Sequence, residues 1–424
     1  MIKIYNTKNM SLEDILPRKS VESDVADTVS EILAQVRDRG DTALREYGRR
    51  FDGAVPESME LTPEERGTAL SMVDPEFIGI LKEAAENIRS YHSLQIRSGY
   101  RIQKSQGIIL GQKVTPIKSV GLYIPGGTAS YPSSVLMNCI PAKLAGVEQI
   151  IMTTPPNKSG NISPNIVAAA DIAGVDRIFK CGGAQAIAAL AFGTESIPRV
   201  EKIVGPGNAY VAEAKRQVFG CVGIDMIAGP SVVLAIADIK SDPVVIAADM
   251  LSQAEHDRLA SAVLITDSQE LAEKVAAEIE AQLKTLPREE IARGSIESSG
   301  KIIIAESIEE AIDISNEIAP EHLELCVDEP FNYLDRITNA GSIFLGRNCP
   351  EPLGDYFAGT NHTLPTGGTA KFSSALSVDD FFKKSSYMYY SKEELNAVGK
   401  KIAYFADKEG LHAHAVSATI RLKR

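Results

Sequence analysis

Positive charge is what this chain is short of. It has 44 lysines and arginines against 56 aspartates and glutamates, a formal net charge of −12 over 424 residues. A nucleic-acid binder normally presents a basic face, so that class is disfavoured. No apolar run reaches the roughly 18 residues a membrane span needs. Residues Met1 to Pro17 mix polar and apolar side chains without a signal-peptide core, which predicts a cytoplasmic protein. Cysteine is sparse: Cys139, Cys181, Cys221, Cys326 and Cys349 are odd in number, widely spaced and without a C-x-x-C. They read as reduced thiols rather than a disulfide frame or a cysteine–zinc site. Tryptophan is absent, which excludes nothing. Also missing are a phosphate-binding G-x-x-x-x-G-K-[ST] and a complete dinucleotide fingerprint, since Gly205-Pro-Gly207-Asn-Ala-Tyr210 lacks its third glycine.

What is present is a long alternation of strands and helices. Val21 to Phe51 predicts a helix with Ser23 as N-cap and an apolar stripe of Val25, Val29, Ile32, Leu33 and Val36. Gly40 breaks it and Asp41 restarts it through Tyr47. Pro75 to His92 is a further amphipathic helix, with His92 expected on its surface. From Lys118 onward short β-branched runs are followed by glycines and then by helical segments, with Gly146 and Gly174 as helix stops. This pattern predicts parallel sheets with helices on both faces, and ligands at the carboxyl ends of the strands, near Gly126-Gly127, Gly182-Gly183, Gly205-Gly207 and Gly229. The segment Leu376 to Arg424 is expected to be mainly helical.

Histidine is scarce too, at six, yet two fall between Ala319 and Gly368. That stretch opens with Ala319-Pro-Glu-His322. It closes with Gly354-Asp-Tyr-Phe-Ala-Gly-Thr-Asn-His362 and Leu364-Pro-Thr-Gly-Gly368. A carboxylate beside an imidazole is the equipment for proton transfer near neutral pH. A lone Glu-His in mid-helix would be surface decoration, but glycine-punctuated loops rich in Asp, Asn, His and Thr are costly as mere connectors. Gln253-x-x-His256 puts two candidate metal ligands on one helix face, although a polar helix end gives the same pattern. His412 and His414 near the C-terminus can serve a site far upstream only by folding back or by reaching a second subunit. Cys326 is read as a structural thiol.

Taken together, these segments resemble the histidinol dehydrogenase family over nearly the whole chain. The resemblance rests on Gly40 to Tyr47, Gly121 to Gly127, Gly182 to Gly193, Gly205 to Asn208, Ala228 to Ser231, Leu251 to Asp257, the stretch just described, and Glu409-Gly-Leu-His-Ala-His414. It implies oxidation of L-histidinol to L-histidine through the aldehyde with two NAD and one zinc ion per site. Gln253, His256, Asp355 and His414 would be the metal ligands, a set that suits zinc without excluding another divalent ion. Glu321 and His322 match the catalytic pair. Ser231, His362 and Glu409 match substrate contacts, joined by His322 and the metal ligands. Tyr123, Gln185 and Asn208 match NAD contacts. One departure stands out: the family pattern after Gly-Pro-Ser is Glu, and here it is Val232.

The resemblance further implies two Rossmann-like parallel-sheet domains with small N- and C-terminal helical segments. Residues 1–20 would form an N-terminal arm. Residues 21–119 and 236–375 would form a first, discontinuous α/β domain that carries the catalytic pair. Residues 120–235 would be the NAD-side domain, and 376–424 a tail reaching the partner of a homodimer. Three rival readings are a related dehydrogenase of another small polar alcohol, a metal-dependent hydrolase with Glu321 as base, and a non-catalytic binder.

Overall fold

A computed structural model describes residues 2–15, 25–126 and 130–423. Ser23 and Gly127 therefore lie outside the described residues. The chain forms two compact units: Met1–Gln95 with Lys118–Asp380, and Ile96–Ile117 with Phe381–Arg424.

The first unit contains two parallel sheets. One has six strands in the order Lys3–Asn6, Lys301–Ile304, Ser261–Thr266, Val232–Ala237, His322–Cys326, Ser342–Leu345. Its central strand shows why the sequence folds this way. Val233, Ala235 and Ala237 enter one core with helices Pro243–Ala254, Gln269–Leu283 and Glu289–Ser298, while Leu234 and Ile236 enter the other with helix Ile308–Ile318. Both faces of the strand are buried, so it reads as a continuous apolar run rather than an alternation. Val233, Leu234 and Ile236 each contribute about 1.5–3 kcal/mol by leaving water, the alanines less.

The other sheet runs Arg177–Lys180, Gln149–Thr154, Ser119–Tyr123, Lys202–Val204, Gly223–Ile224. Gly146 (φ 84°) and Gly174 (φ 86°) end their helices in the left-handed conformation that glycine adopts without strain. Val29, Ile32, Leu33 and Val36 of helix Ala26–Arg39, with Leu44 of Asp41–Tyr47, fill the core against this sheet. The expected boundaries grouped these helices with the first sheet. Their apolar stripe instead matches the alanine-rich helix Gly183–Phe192, whose small side chains allow close approach.

Two further expectations are corrected. His92 ends helix Pro75–Ser93 but is fully buried, with Nδ1 2.7 Å from Gln95 Oε1 and Nε2 3.5 Å from Asn361 Nδ2. The loop carrying Asn361 covers it, and a single helix's periodicity cannot register a cover from 270 residues away. The C-terminal segment holds the helices Lys392–Lys408 and His412–Thr419, but also the strand Phe382–Tyr390. In the second unit that strand pairs antiparallel with Ile108–Pro116, which pairs with Tyr100–Ser105. Its aromatic residues favour a strand, and Tyr387 lies over Gly111, where a Cβ would come within 2.3 Å of the ring.

Candidate active site

Helix Ile308–Ile318 ends at Ala319, which is left-handed (φ 52°), and Pro320 then prevents any helical continuation. Glu321 is therefore just ahead of, and His322 at the head of, the buried strand His322–Cys326. The glycine loops were expected at carboxyl ends; in this sheet the Glu321–His322 pair sits instead at the amino edge, and Ser231 immediately precedes the neighbouring strand. The carboxyl edge of the other sheet meets it. Ser134, in the first turn of the helix that follows Ser119–Tyr123, lies 3.2 Å from His362 Nε2, and His362 Nδ1 is 3.0 Å from the Asp355 carbonyl. Gly229 N–H donates to Thr366 Oγ1 at 2.6 Å. These contacts bring Glu321, His322, Asp355 and His362 together where the two sheet edges face one another.

His322 lies between two carboxylates. Nε2 is 3.5 Å from Asp355 Oδ1 and Nδ1 is 3.8 Å from Glu351 Oε1. Burial disfavours its charged form, but the close approach of Asp355 with the charges of Glu321, Glu351 and Asp355 outweighs burial and holds it up at about 9. Asp355 shows the converse: burial raises it, yet His322, His362 and His256 hold it below the ordinary carboxylate range. Glu321 is buried, which raises it, opposed by His322, by a hydrogen bond with Ser231 and by the Val232 N–H at 3.3 Å. That backbone contact gives the Val232 departure a context, since any residue there supplies the same N–H.

Glu351 and Glu324 are functional candidates that the sequence reading missed. Glu351 is pushed up to about 7, mainly by burial, and accepts from Ser252 Oγ at 3.1 Å. Glu324 accepts from the Glu351 N–H at 2.8 Å and is also raised by burial, as is its partner Asp249. Both signals were available. Glu351 precedes Asp355 by four on helix Glu351–Tyr356, and Glu324 follows His322 by two on a strand, so each pair shares a face. Cys326 is buried and burial pushes its thiol up, which fits packing and not nucleophilic attack.

The ligating atoms of His322, Glu351 and Asp355 lie within 4.8 Å of one another. Gln253 occupies the last turn of helix Pro243–Ala254, next to Ser252. It is buried, and its Oε1 lacks a hydrogen-bond partner among the described residues. A buried oxygen left without a donor is an acceptor open to a cation, and the neighbouring Ser252 bonds Glu351 of the His322–Glu351–Asp355 cluster. His256 follows the helix end, exposed, and its charge acts on Asp355. Glu409 and His414 belong to the second unit, where both are exposed.

A cavity of about 960 Å³ opens along the second sheet's carboxyl edge, and Tyr123, Gln185 and Asn208 all line it. Tyr123 Oη accepts from the Gly183 N–H at 3.1 Å. Asn208 Oδ1 caps helix Ala209–Val218 by accepting from Tyr210 and Val211. Gln185 Nε2 is buried with no partner among the described residues, an amide donor available to a polar ligand. The loop Gly205–Asn208 is held from behind. Buried Lys215 pairs with buried Asp225, and the two grip one residue from opposite sides: Lys215 donates to the Gly205 carbonyl at 3.0 Å, and the Gly205 N–H donates to Asp225 at 2.8 Å.

A family model described as histidinol dehydrogenase matches residues 16–422. The histidinol dehydrogenase of Clostridium acetobutylicum is 56% identical over 401 residues, covering 95% of this chain and 93% of that protein. That of Geobacillus kaustophilus is 55% identical over 410 residues, 96% of this chain and 97% of the relative. The crystal structure of histidinol dehydrogenase from Elizabethkingia anophelis superposes with a TM-score of 0.94 at 40% identity, covering 100% of this chain and 98% of that one.

Proposed function

The chain belongs to the histidinol dehydrogenase family and is an oxidoreductase of histidine biosynthesis; we propose that it oxidises L-histidinol to L-histidine by four electrons, through bound L-histidinaldehyde, with two NAD and one zinc ion per site. The observation that supports this reading is the cluster of His322 with Asp355 and Glu351 beside the buried Glu321, with the unpartnered Gln253 Oε1 on the helix whose Ser252 bonds Glu351. When bound, NAD supplies the hydride acceptor and zinc supplies an anchor for the substrate's imidazole and amine.

This chain's residues divide the rest of the work. Gln253, His256 and Asp355 hold the metal, with His414 completing the set. His322 takes the hydroxyl proton as hydride leaves carbon, which requires its neutral form. Asp355, once committed to a cation, no longer holds the imidazole protonated, and that frees His322 as a base. Glu321, made more basic by burial, draws a proton from the water that attacks the aldehyde carbon. Ser231, His362 and Glu409 orient the substrate, and a substrate fixed at several points keeps its aldehyde from escaping. Tyr123, Gln185 and Asn208 bind the dinucleotide without the usual glycine fingerprint. Glu409 and His414 serve the site of a second subunit in a cytoplasmic homodimer.

The test is NADH formation from limiting L-histidinol with metal-replete protein. Two NADH per histidinol, abolished by a chelator and restored by zinc, is the expected result. Folded, zinc-loaded protein that yields no NADH from histidinol would redirect the reading to another small polar alcohol, and first to the pocket around Ser231 and Val232.

A further inference from the structure

One part of the 960 Å³ cavity's lining comes from an unusual element. Helix Asp41–Tyr47 continues as a π-helical turn, Gly48–Asp52, before Gly53 ends it in the left-handed conformation. Turns of this kind are rare and concentrate at functional sites, because they rotate side chains out of ordinary helical register. This one delivers Arg50, Phe51 and Asp52 to the cavity. Two of the three are engaged: the Phe51 ring stacks on Tyr47 at 5.6 Å, and the Arg50 guanidinium lies 5.1 Å from the Phe51 ring centre.

Asp52 is not. It is half-buried and makes no hydrogen bond or ion pair among the described residues. Burial alone pushes it up to about 6, with no cation acting on it. A carboxylate withdrawn from water without a partner is costly, and four lone-pair sites facing a cavity suit a ligand bearing neutral donors. The donor that engages both oxygens at once is a vicinal diol, and a dinucleotide carries one on each ribose. We propose that Asp52 binds a ribose diol of the dinucleotide and is a specificity-determining residue of this site. If the diol is that of the adenosine, the same carboxylate repels a 2′-phosphate and sets the preference for NAD over NADP. The inference rests on NAD being the cofactor, as proposed above.

The experiment is calorimetric titration of wild type and Asp52→Asn with NAD, NADP and ADP, alongside thermal melting of the free proteins. Asp52→Ser serves as a second variant should Asp52→Asn fold poorly. Loss of a charge-assisted contact predicts NAD binding weakened about tenfold, with a melting temperature of the free protein equal to or above that of wild type, since the unpartnered charge is removed. An adenosine diol predicts that ADP weakens in parallel while NADP does not, so the gap between the two cofactors narrows. A nicotinamide-ribose diol predicts that NAD and NADP weaken equally and ADP is unaffected. Unaltered NAD affinity in both folded variants overturns the assignment and leaves the cofactor reading standing. Wild-type protein that binds neither NAD nor ADP overturns both.

Discussion

At the scale of single residues the site is a contest between burial and charge. Glu321 and His322 are neighbours in sequence, yet their surroundings pull them apart. The imidazole faces Asp355 and Glu351, while the carboxylate faces Ser231 and the Val232 N–H. If Glu321 acts only on the water of the second oxidation, its removal should divide the two half-reactions. Glu321→Gln is expected to release about one NADH per site and then stall, with aldehyde oxidation slowed by about 10²–10⁴-fold. Rapid-mixing absorbance checks this, and equal loss of both steps would assign Glu321 to both. The sequence made Glu321, His322 and Asp355 legible because histidine is rare and the loops around these residues are glycine-punctuated. Glu351 was passed over despite its spacing of four from Asp355, because a glutamate after Cys349-Pro350 looks like an ordinary helix start. The sequence hid the burial of His92, because Asn361 arrives from far along the chain.

At the scale of elements the position of the chemistry follows from what ends or begins beside it. Pro320 stops a helix and lets His322 open a strand, and the residue before each neighbouring strand then lies at the same edge. Strand–helix alternation was readable through most of the first unit, since fully buried parallel strands leave a dense β-branched signature, but Lys3–Asn6 and His322–Cys326 were not read as strands. The strand Phe382–Tyr390 was not readable either, because it is exposed along almost its whole length and carries no alternation. The Lys215–Asp225 pair invites a measurement at this scale. Lys215→Met leaves a buried carboxylate uncompensated and should cost about 3–5 kcal/mol in chemical denaturation. It should also loosen the Gly205–Asn208 loop and weaken NAD binding. Lys215→Met with Asp225→Asn should recover part of the stability, because no lone charge remains. A single variant as stable as wild type would mean that Asp225 finds another partner.

At the scale of the whole molecule the two histidines assigned to one metal, His256 and His414, lie in different compact units. The proposed exchange between subunits makes a countable forecast. His322→Asn and His414→Asn homodimers should each be nearly inactive. Mixed by reversible denaturation in equal amounts, half of the dimers would be hybrids, each with one intact site of two. Recovery of about one quarter of wild-type activity is expected, read as NADH formation after refolding. No recovery would place both histidines in sites built from one chain. Domain boundaries were the least legible feature of the sequence, because no Pro- or Ser-rich linker marks them and helix Ala26–Arg39 packs on a sheet that begins some 80 residues later.

The mounting of His322 has a last consequence. A side chain fixed at the head of a strand with neighbours on both sides, rather than on a loop, has no hinge. The pair at the amino edge is therefore an anvil, and motion during turnover is left to other parts of the chain, among them the loops and the π-helical turn that line the 960 Å³ cavity. In the proposed reaction, two successive oxidations at one stationary point would become a problem of traffic: spent cofactor would have to clear and fresh cofactor dock while the half-oxidised substrate waits. The rhythm of such an enzyme belongs to the doorway and not to the tool.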